Sequence, residues 1–195
     1  MIYLCNMKIL IGLLLSLTSC NSEVKLTESD SGLSKAAKSI KDPSIIYSAS
    51  YVRLSYPNGD VNPKTGVCTD VVIRAYRKLG IDLQKLVHED MLKNFSDYPN
   101  KWGLARPNSN IDHRRVPNLM KFFSKYGKSL VITNNPKDYK PGEVIAWELN
   151  PGVLHIGITV NELSGNTYKV IHNIGGGQVI EDVLFSYKII GHYKY

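Results

Sequence analysis

Residues 66–80 read GVCTDVVIRAYRKLG and predict a short amphipathic helix. Apolar side chains recur there at spacings of three and four, at Val72, Ala75, Tyr76 and Leu79. Basic residues follow near the end of the stretch, and Gly80 can adopt the left-handed conformation that ends many helices. We therefore expect Cys68 at the N-terminus of a helix, with Asp70 in its first turn.

Cys68 is the first candidate for a chemical role. The backbone N–H groups at a helix N-terminus are unpaired, and together with the helix dipole they favour a thiolate, the form in which a cysteine is nucleophilic. The nearby carboxylate of Asp70 opposes a thiolate. A buried, unreactive small side chain is the other interpretation of Cys68, and its position alone does not decide between the two.

His155 is the second candidate, on one of two predicted strands at residues 140–147 and 153–160. Side chains alternate along the latter, so one face carries Leu154, Ile156, Ile158 and Val160. We expect His155 on the opposite face, beside Gly157, which would leave room for a substrate. A half-exposed sheet histidine without a chemical role is the alternative.

The third element is a predicted strand at residues 168–173, reached through a hairpin turn at Ser164-Gly165-Asn166. One register places His172 opposite His155, and a shift by one residue places Asn173 there instead. Either side chain can accept a hydrogen bond from the imidazole and hold its tautomer. The residues themselves leave both orienting partners open.

In order along the chain, these motifs resemble those of the NlpC-type peptidases of bacterial cell walls. The shared features are a cysteine that opens a helix, a Pro-Gly-acidic turn into a strand, His-Ile-Gly-Ile, and Ile-His. The family's motif positions match Cys68, His155 and His172. The resemblance implies an α+β, papain-like fold, in which N-terminal helices, one with the cysteine at its N-terminus, pack on a C-terminal antiparallel β-sheet. It also implies His172 as the orienting residue and hydrolysis of peptide or amide bonds in peptidoglycan stem peptides.

The chain departs from the typical NlpC-type motif around its cysteine. That motif has Asp before the cysteine and Ser-Gly after it, whereas this chain has Val67, Thr69 and Asp70. A closer resemblance runs from about residue 51 to residue 195, through GVCTD, NIDHRRVPN at residues 110–118, and Gly-His-Tyr at residues 191–193. Over that range the chain resembles a bacterial envelope family known as domain of unknown function 1287.

The expected mechanism is acyl transfer in one solvent-open cleft that contains all three side chains. His155 draws the proton from Cys68, the sulfur attacks a carbonyl, and the Cys68 backbone N–H helps to hold the oxyanion. Water then hydrolyses the thioester, without a metal or an organic cofactor, since His88 and His192 lack the spacing of a zinc site. Two other functions stay open: a non-catalytic, glycopeptide-binding envelope lipoprotein, and an acyltransferase on a papain-like scaffold.

Substrate contacts are expected from a polar run and from one tyrosine. Residues 112–115, which are Asp112, His113, Arg114 and Arg115, precede a predicted helix at Val116–Tyr126. They are either a capped helix start with solvated basic residues or a site for the carboxylates of a peptide stem. Tyr51 lies in a predicted strand at residues 45–56 and either polarises the substrate carbonyl or packs in the sheet.

Residues 1–19 have the pattern of a signal peptide. Lys8 precedes an apolar run, Ile9–Leu17, that is too short to cross a bilayer. The run ends in Leu-Thr-Ser-Cys, which resembles the lipobox of bacterial lipoproteins, so we expect cleavage to leave Cys20 lipidated. An ordinary secretory signal is the alternative, and either Met1 or Met7 is the start. We expect residues 20–31 to form a polar tether and residues 32–195 a single domain, in which Cys68 would have no disulfide partner.

The overall charge suggests the class of partner. The chain has 24 Lys and Arg residues against 17 Asp and Glu, a formal net charge of +7, without a block of like charges. An evenly spread basic excess fits anionic envelope polymers or lipid surfaces better than nucleic acid, for which no motif occurs. From the N-terminal pattern we expect an exported, monomeric, membrane-anchored lipoprotein that faces the periplasm or cell wall, and the NlpC-type resemblance implies that it acts on cell-wall peptide.

Overall fold

A computed structural model describes residues 31–195 of the chain. The predicted signal peptide, the lipidation of Cys20 and the tether up to residue 30 lie outside the described residues. Within residues 31–195 there are four α-helices, α1 (Gly32–Ser39), α2 (Cys68–Arg77), α3 (Leu83–Asn94) and α4 (Val116–Tyr126). None of these helices is long and apolar enough to cross a membrane.

The strands form a small parallel pair and a larger antiparallel sheet, so the α+β class predicted from the sequence is confirmed. The parallel pair is β1 (Ile46–Tyr47) and β2 (Thr65–Gly66). The six-stranded sheet has the order β3-β8-β4-β5-β6-β7. Its strands are β3 (Lys128–Ser129), β4 (Val144–Asn150), β5 (Val153–Ser164), β6 (Thr167–His172), β7 (Val179–Glu181) and β8 (Lys188–Lys194).

The main core lies between the helices and one face of this sheet. Ile156, Ile158 and Val160 of β5 are fully buried there against α2 and α4, which confirms the apolar face predicted for β5. The opposite face is covered too, by a smaller cluster of Tyr139, Ile145, Trp147, Val170 and Leu184. Strand β5 is therefore covered on both faces of the sheet. Its alternating sequence pattern predicted only one buried face.

Helix α2 begins at Cys68, as predicted, because its first turn is capped. The Asp70 carboxylate accepts a 2.7 Å hydrogen bond from the Val67 N–H and so closes the turn that precedes the helix. Gly80 has a φ of +76° and ends the segment as expected. The predicted apolar stripe is nevertheless wrong at one position, since Leu79 lies beyond the helix end and is exposed.

The predicted strand at residues 45–56 is largely wrong. Only Ile46–Tyr47 pairs with another strand, and most of residues 46–56 are exposed despite their aromatic and β-branched side chains. Strand propensity reflects the packing of side chains on a half-buried sheet surface, and this segment has no such surface to cover. Helix α3 and strands β7 and β8 were not predicted at all, whereas α4 has the predicted bounds.

Candidate active site

His155 and His172 are in direct contact. Their Nε2 and Nδ1 atoms lie 2.8 Å apart, and their rings meet edge to face with centroids 5.0 Å apart. Asn173, the alternative orienting residue, is engaged elsewhere: its amide donates to the Gly66 carbonyl at 3.2 Å and its oxygen accepts from the Gly175 N–H at 3.0 Å. The structure thus places His172 beside His155, while Asn173 holds the segment that leads into Cys68.

Both registers predicted between β5 and β6 are wrong. Ile158 pairs with Ile171 and Thr159 with Val170, so the continued register places His172 opposite Gly157 and only diagonal to His155. The pairing is irregular between Thr159 and Leu163, which shifts the strands relative to the hairpin turn. The two imidazoles still meet, because diagonal residues on the same face lie within reach of long side chains.

Gly157 makes room for strand β6 rather than for a substrate, which corrects the expectation from the sequence. A Cβ at this position would lie 2.7 Å from Val170 Cγ1, 2.8 Å from the Ile171 carbonyl oxygen and 3.2 Å from His172 Cβ. The space beside His155 is therefore already filled. The glycine allows the close approach of the two strands that brings His172 over to His155.

The hydrogen bonds continue from His172 to a residue that the sequence analysis missed. Glu181 on β7 places Oε2 2.9 Å from His172 Nε2, and its side chain is 48% exposed. His155, His172 and Glu181 thus form a continuous chain across three neighbouring strands. Only an acidic residue soon after the triple glycine at residues 175–177 could have indicated this contact, and β7 itself is too short to be recognised from its pattern.

Burial keeps the two imidazoles uncharged. It lowers the pKa of His155 to about 3, with a further decrease from the charge that His172 would carry. It also lowers the pKa of His172, although the Glu181 carboxylate opposes that shift by its charge and its hydrogen bond. Both rings are therefore neutral at neutral pH, and His155 is in the form that can accept a proton.

Cys68 carries a protonated thiol. Burial raises its pKa to about 12, and the charge of Asp70 adds to the increase. The backbone groups of Ile156, Thr69 and Cys68 itself oppose this increase in the pKa but do not offset burial. The expected preference for a thiolate at the helix N-terminus is thus overcome, because desolvation of the sulfur is the larger effect.

Cys68 packs near the strand that carries His155. Ile156, which directly follows His155, lies in the same buried cluster as Cys68, yet among the hydrogen bonds within residues 31–195 none joins the Cys68 thiol to an imidazole. The exposed fractions of Cys68, His155 and His172 are 6%, 3% and 1%. The cleft expected to be open to solvent is therefore closed in this structure.

The tyrosine next to Cys68 is Tyr47, and Tyr51 has a different environment. Burial raises the pKa of the Tyr47 phenol, and the charge of Asp70 adds to the increase. Tyr47 pairs with Gly66, close in sequence to the cysteine. The Tyr51 hydroxyl instead accepts hydrogen bonds from the side-chain amides of two asparagines, Asn108 and Asn110, at 3.3 and 3.0 Å. Of these two tyrosines, Tyr47 is therefore the one that lies near Cys68.

The predicted substrate residues at 112–114 are internal, which corrects both interpretations offered from the sequence. Asp112, His113 and Arg114 form a buried 3-10 turn. The Arg114 guanidinium donates to both carboxylate oxygens of Asp70, at 2.9 and 3.0 Å, so it is not free to bind a substrate carboxylate. This ion pair instead neutralises the acid nearest Cys68 and fastens the turn to α2.

Arg115 differs from the three residues before it. Its guanidinium carbon lies 3.9 Å above the Trp102 ring, a cation–π contact near the surface, and the residue is partly exposed. Arg115 therefore stays a candidate for contact with an anionic substrate.

His192 and His88 each lie near a carboxylate. His192 Nε2 is 2.7 Å from a carboxylate oxygen of Glu143, its Nδ1 is 3.1 Å from the Val131 carbonyl oxygen, and its ring stacks on Tyr139. His88 lies with Nδ1 3.7 Å from a carboxylate oxygen of Asp112. In the part of the chain that the structure describes, no three His, Cys, Asp or Glu side chains are grouped as metal ligands would be.

Comparison with known proteins indicates a family. The model of a family described as a domain of unknown function (DUF1287) matches residues 34–195. The chain is also similar to the "Uncharacterized protein YijF" of Escherichia coli (strain K12), with 53% identity over 152 residues, which cover 77% of this chain and 74% of that protein. No solved structure matches the chain. The range matched by the family model contains Cys68, both contacting histidines and Glu181.

Proposed function

This chain belongs to the family described as a domain of unknown function (DUF1287), and we propose that it is a cysteine hydrolase that cleaves peptide or amide bonds. The observation that carries the proposal is the 2.8 Å contact of His155 with His172, on two strands that pack against α2, the helix that begins at Cys68. A nucleophile beside a base, and a third group that orients the base, are the parts that nucleophilic acyl transfer requires.

The proposed fold within the α+β class is the papain-like, NlpC-type fold. Three features support it: Cys68 opens a helix, that helix packs on an antiparallel sheet, and the two histidines lie on the adjacent strands β5 and β6. The order of these parts along the chain is the order of the NlpC-type motifs.

The proposed reaction starts from an uncharged pair. His155 removes the thiol proton as the Cys68 sulfur attacks the carbonyl carbon, and the Cys68 backbone N–H stabilises the oxyanion. The amine leaves with the proton that His155 carries, and a thioester remains on Cys68. His155 then takes a proton from water as the water attacks the thioester, which releases a carboxylic acid and restores the thiol.

Substrate entry requires a segment of the covering chain to move, and β1 is the proposed segment. Its pairing with β2 is short. The Ile46 N–H donates to the Lys64 carbonyl at 2.9 Å, and the Ser48 N–H donates to the Gly66 carbonyl at 3.2 Å. Tyr47, which lies near Cys68, is on this segment and is partly exposed. Segments with few hydrogen bonds and little buried surface open most readily.

The proposed substrate is a stem peptide of the bacterial cell wall. The N-terminal pattern supports export and anchoring through a lipid on Cys20, which would place a monomeric enzyme at the periplasm or cell wall. The basic excess of the chain favours an anionic polymer. The NlpC-type resemblance supports peptide or amide bonds as the bonds that are cleaved.

The test is product analysis with purified cell-wall peptides. The wild-type protein should release new amine and carboxyl groups in equal amounts, and Cys68→Ala should lower kcat by at least about 1,000-fold because the nucleophile is removed. Thr65→Ala, a change close to Cys68 in sequence that leaves the thiol and both histidines in place, serves as the control. Hydrolysis by Cys68→Ala at the wild-type rate would refute the proposal.

A glycopeptide-binding lipoprotein without catalysis is the second candidate. The observation that favours it is the covered Cys68 thiol, whose burial raises its pKa to about 12. This function predicts that cell-wall fragments bind equally well to wild type and to Cys68→Ala and that neither protein releases product. Transfer of the acyl group to an added amine would instead identify an acyltransferase.

A further inference from the structure

The contact between His172 and Glu181 has consequences for where the protons lie. His172 uses both ring nitrogens, Nδ1 toward His155 and Nε2 toward the Glu181 carboxylate, at 2.8 and 2.9 Å. A carboxylate only accepts hydrogen bonds, so the hydrogen of this contact belongs to His172 Nε2. A neutral imidazole carries a single N–H, which leaves His172 Nδ1 without a proton.

The position of the proton on His172 determines the position of the proton on His155. Because His172 Nδ1 has only a lone pair to offer, the hydrogen between the two rings belongs to His155 Nε2. His155 is neutral too, so its Nδ1 is unprotonated. Burial of both rings, which lowers the pKa of each, supports the neutral forms on which this assignment depends.

We propose that Glu181 is a positioning residue that fixes the tautomers of His172 and His155, so that His155 presents an unprotonated Nδ1 as the base for Cys68. The consequence for catalysis rests on the proposed hydrolase function, whereas the tautomers themselves do not. Without the carboxylate, His172 can carry its proton on Nδ1 and donate to His155 Nε2. His155 would then hold its own proton on Nδ1, where it cannot receive the proton of the thiol.

Glu181 is suited to this role rather than to holding the fold together. Its side chain is 48% exposed and lies on β7, a three-residue strand at the edge of the sheet. The imidazole that it contacts is 1% exposed, so the carboxylate is the point at which the buried pair reaches a group in contact with water.

The experiment uses the full protein with 15N-labelled histidine and records the ring nitrogen signals by NMR. Wild type should show both His155 and His172 protonated on Nε2. In Glu181→Ala, each of the two histidines should be in the Nδ1-protonated form in at least about a tenth of the molecules. Asp182→Asn, which removes the same charge from the next, exposed residue, should leave the tautomers unchanged. A wild-type His155 protonated on Nδ1, or unchanged tautomers in Glu181→Ala, would overturn the inference.

Kinetics separate this inference from the proposed function. With a cell-wall peptide, Glu181→Ala should lower kcat by about 10- to 100-fold with little change in KM, because Glu181 acts on His155 only through His172. If wild type shows the expected tautomers but no hydrolysis, the hydrolase proposal fails and the role of Glu181 in proton placement stands. If hydrolysis occurs and Glu181→Ala keeps full kcat, the positioning role fails and the hydrolase proposal stands.

Discussion

Arg114 and Arg115 show how far two neighbouring residues of one type can differ. The sequence presents them as one basic pair, and the structure places Arg114 in a buried ion pair with Asp70 and Arg115 against the Trp102 ring. The difference arises from contacts with distant parts of the chain, so no local pattern could have separated them. The pairing with Arg114 also means that the negative charge of Asp70, close to Cys68, is balanced by a positive charge.

Replacement of each arginine by alanine should therefore have unequal effects on stability. Arg114→Ala leaves the Asp70 carboxylate buried and unpaired, and we expect it to lower the free energy of unfolding by about 3–5 kcal/mol. Arg115→Ala loses a cation–π contact near the surface and should lower it by about 1 kcal/mol or less. Denaturant unfolding of the two variants measures both values, and equal losses would contradict this account of the ion pair.

The catalytic candidates were predictable from sequence to different degrees. Cys68 and His155 stand at recognisable points of a helix start and a strand, which made them candidates, whereas His172 was preferred to Asn173 only through the NlpC-type resemblance. Glu181 and Tyr47 were missed because each reaches the site through strands of two or three residues, too short to show a pattern. The protonated state of Cys68 was missed because burial depends on packing that sequence spacing does not contain.

The close approach of strand β6 to strand β5 at Gly157 determines whether the two imidazoles meet. Gly157→Ala should lower the free energy of unfolding by about 1–3 kcal/mol, because the added methyl group collides with Val170 and the Ile171 carbonyl. Gly176→Ala is the matched control, since an added Cβ there has no neighbour within 4 Å, and it should change stability by about 0.5 kcal/mol or less. A Gly157→Ala protein as stable as this control would mean that the strands are not so closely packed.

The proposed entry segment can be tested by hydrogen exchange. Amides of Ile46 and Ser48 should exchange at least about 100-fold faster than that of Ile158, which lies in the centre of the sheet, because short strands open locally without global unfolding. Mass spectrometry of short peptides or NMR measures these rates. Equally slow exchange in both regions would contradict entry through β1.

Sequence reasoning was most successful for elements whose side-chain pattern extends over a whole helix or strand. Helices α2 and α4 and the long strands β4, β5 and β6 were anticipated, since each has a clear alternation or a recognisable start and stop. The β5–β6 register was not, because the irregularity after Thr159 depends on how two strands fit each other. Residues 45–56 had strand-like composition but no partner strand beyond Tyr47.

For the whole molecule, buried neutral histidines predict a dependence of stability on pH. Burial lowers the pKa of His155 and of His113 from 6.5 to about 3. Between these values the unfolded chain binds protons that the folded protein does not, so the stability present above pH 6.5 is lost as the pH falls. As the pH falls through that range, each imidazole should reduce the free energy of unfolding by about 1.4 kcal/mol per pH unit.

The contribution of one ring can be isolated with His155→Gln. Denaturant unfolding between pH 7 and pH 5 should show a smaller loss of stability in this variant than in wild type, by up to about 1.4 kcal/mol per pH unit. An identical pH dependence in both proteins would mean that His155 is charged, or accessible to protons, in the folded state.

In the proposed reaction, the Cys68 sulfur attacks a carbonyl with His155 as its base. The attack can be tested by measuring the mass of the protein after it is quenched in acid during turnover of a cell-wall peptide, and by mapping any added group by proteolysis. We expect an acyl group in thioester linkage on Cys68, absent from Cys68→Ala and strongly reduced in His155→Ala. Product release without any acyl group on Cys68, or an acyl group on a different residue, would contradict the proposed reaction.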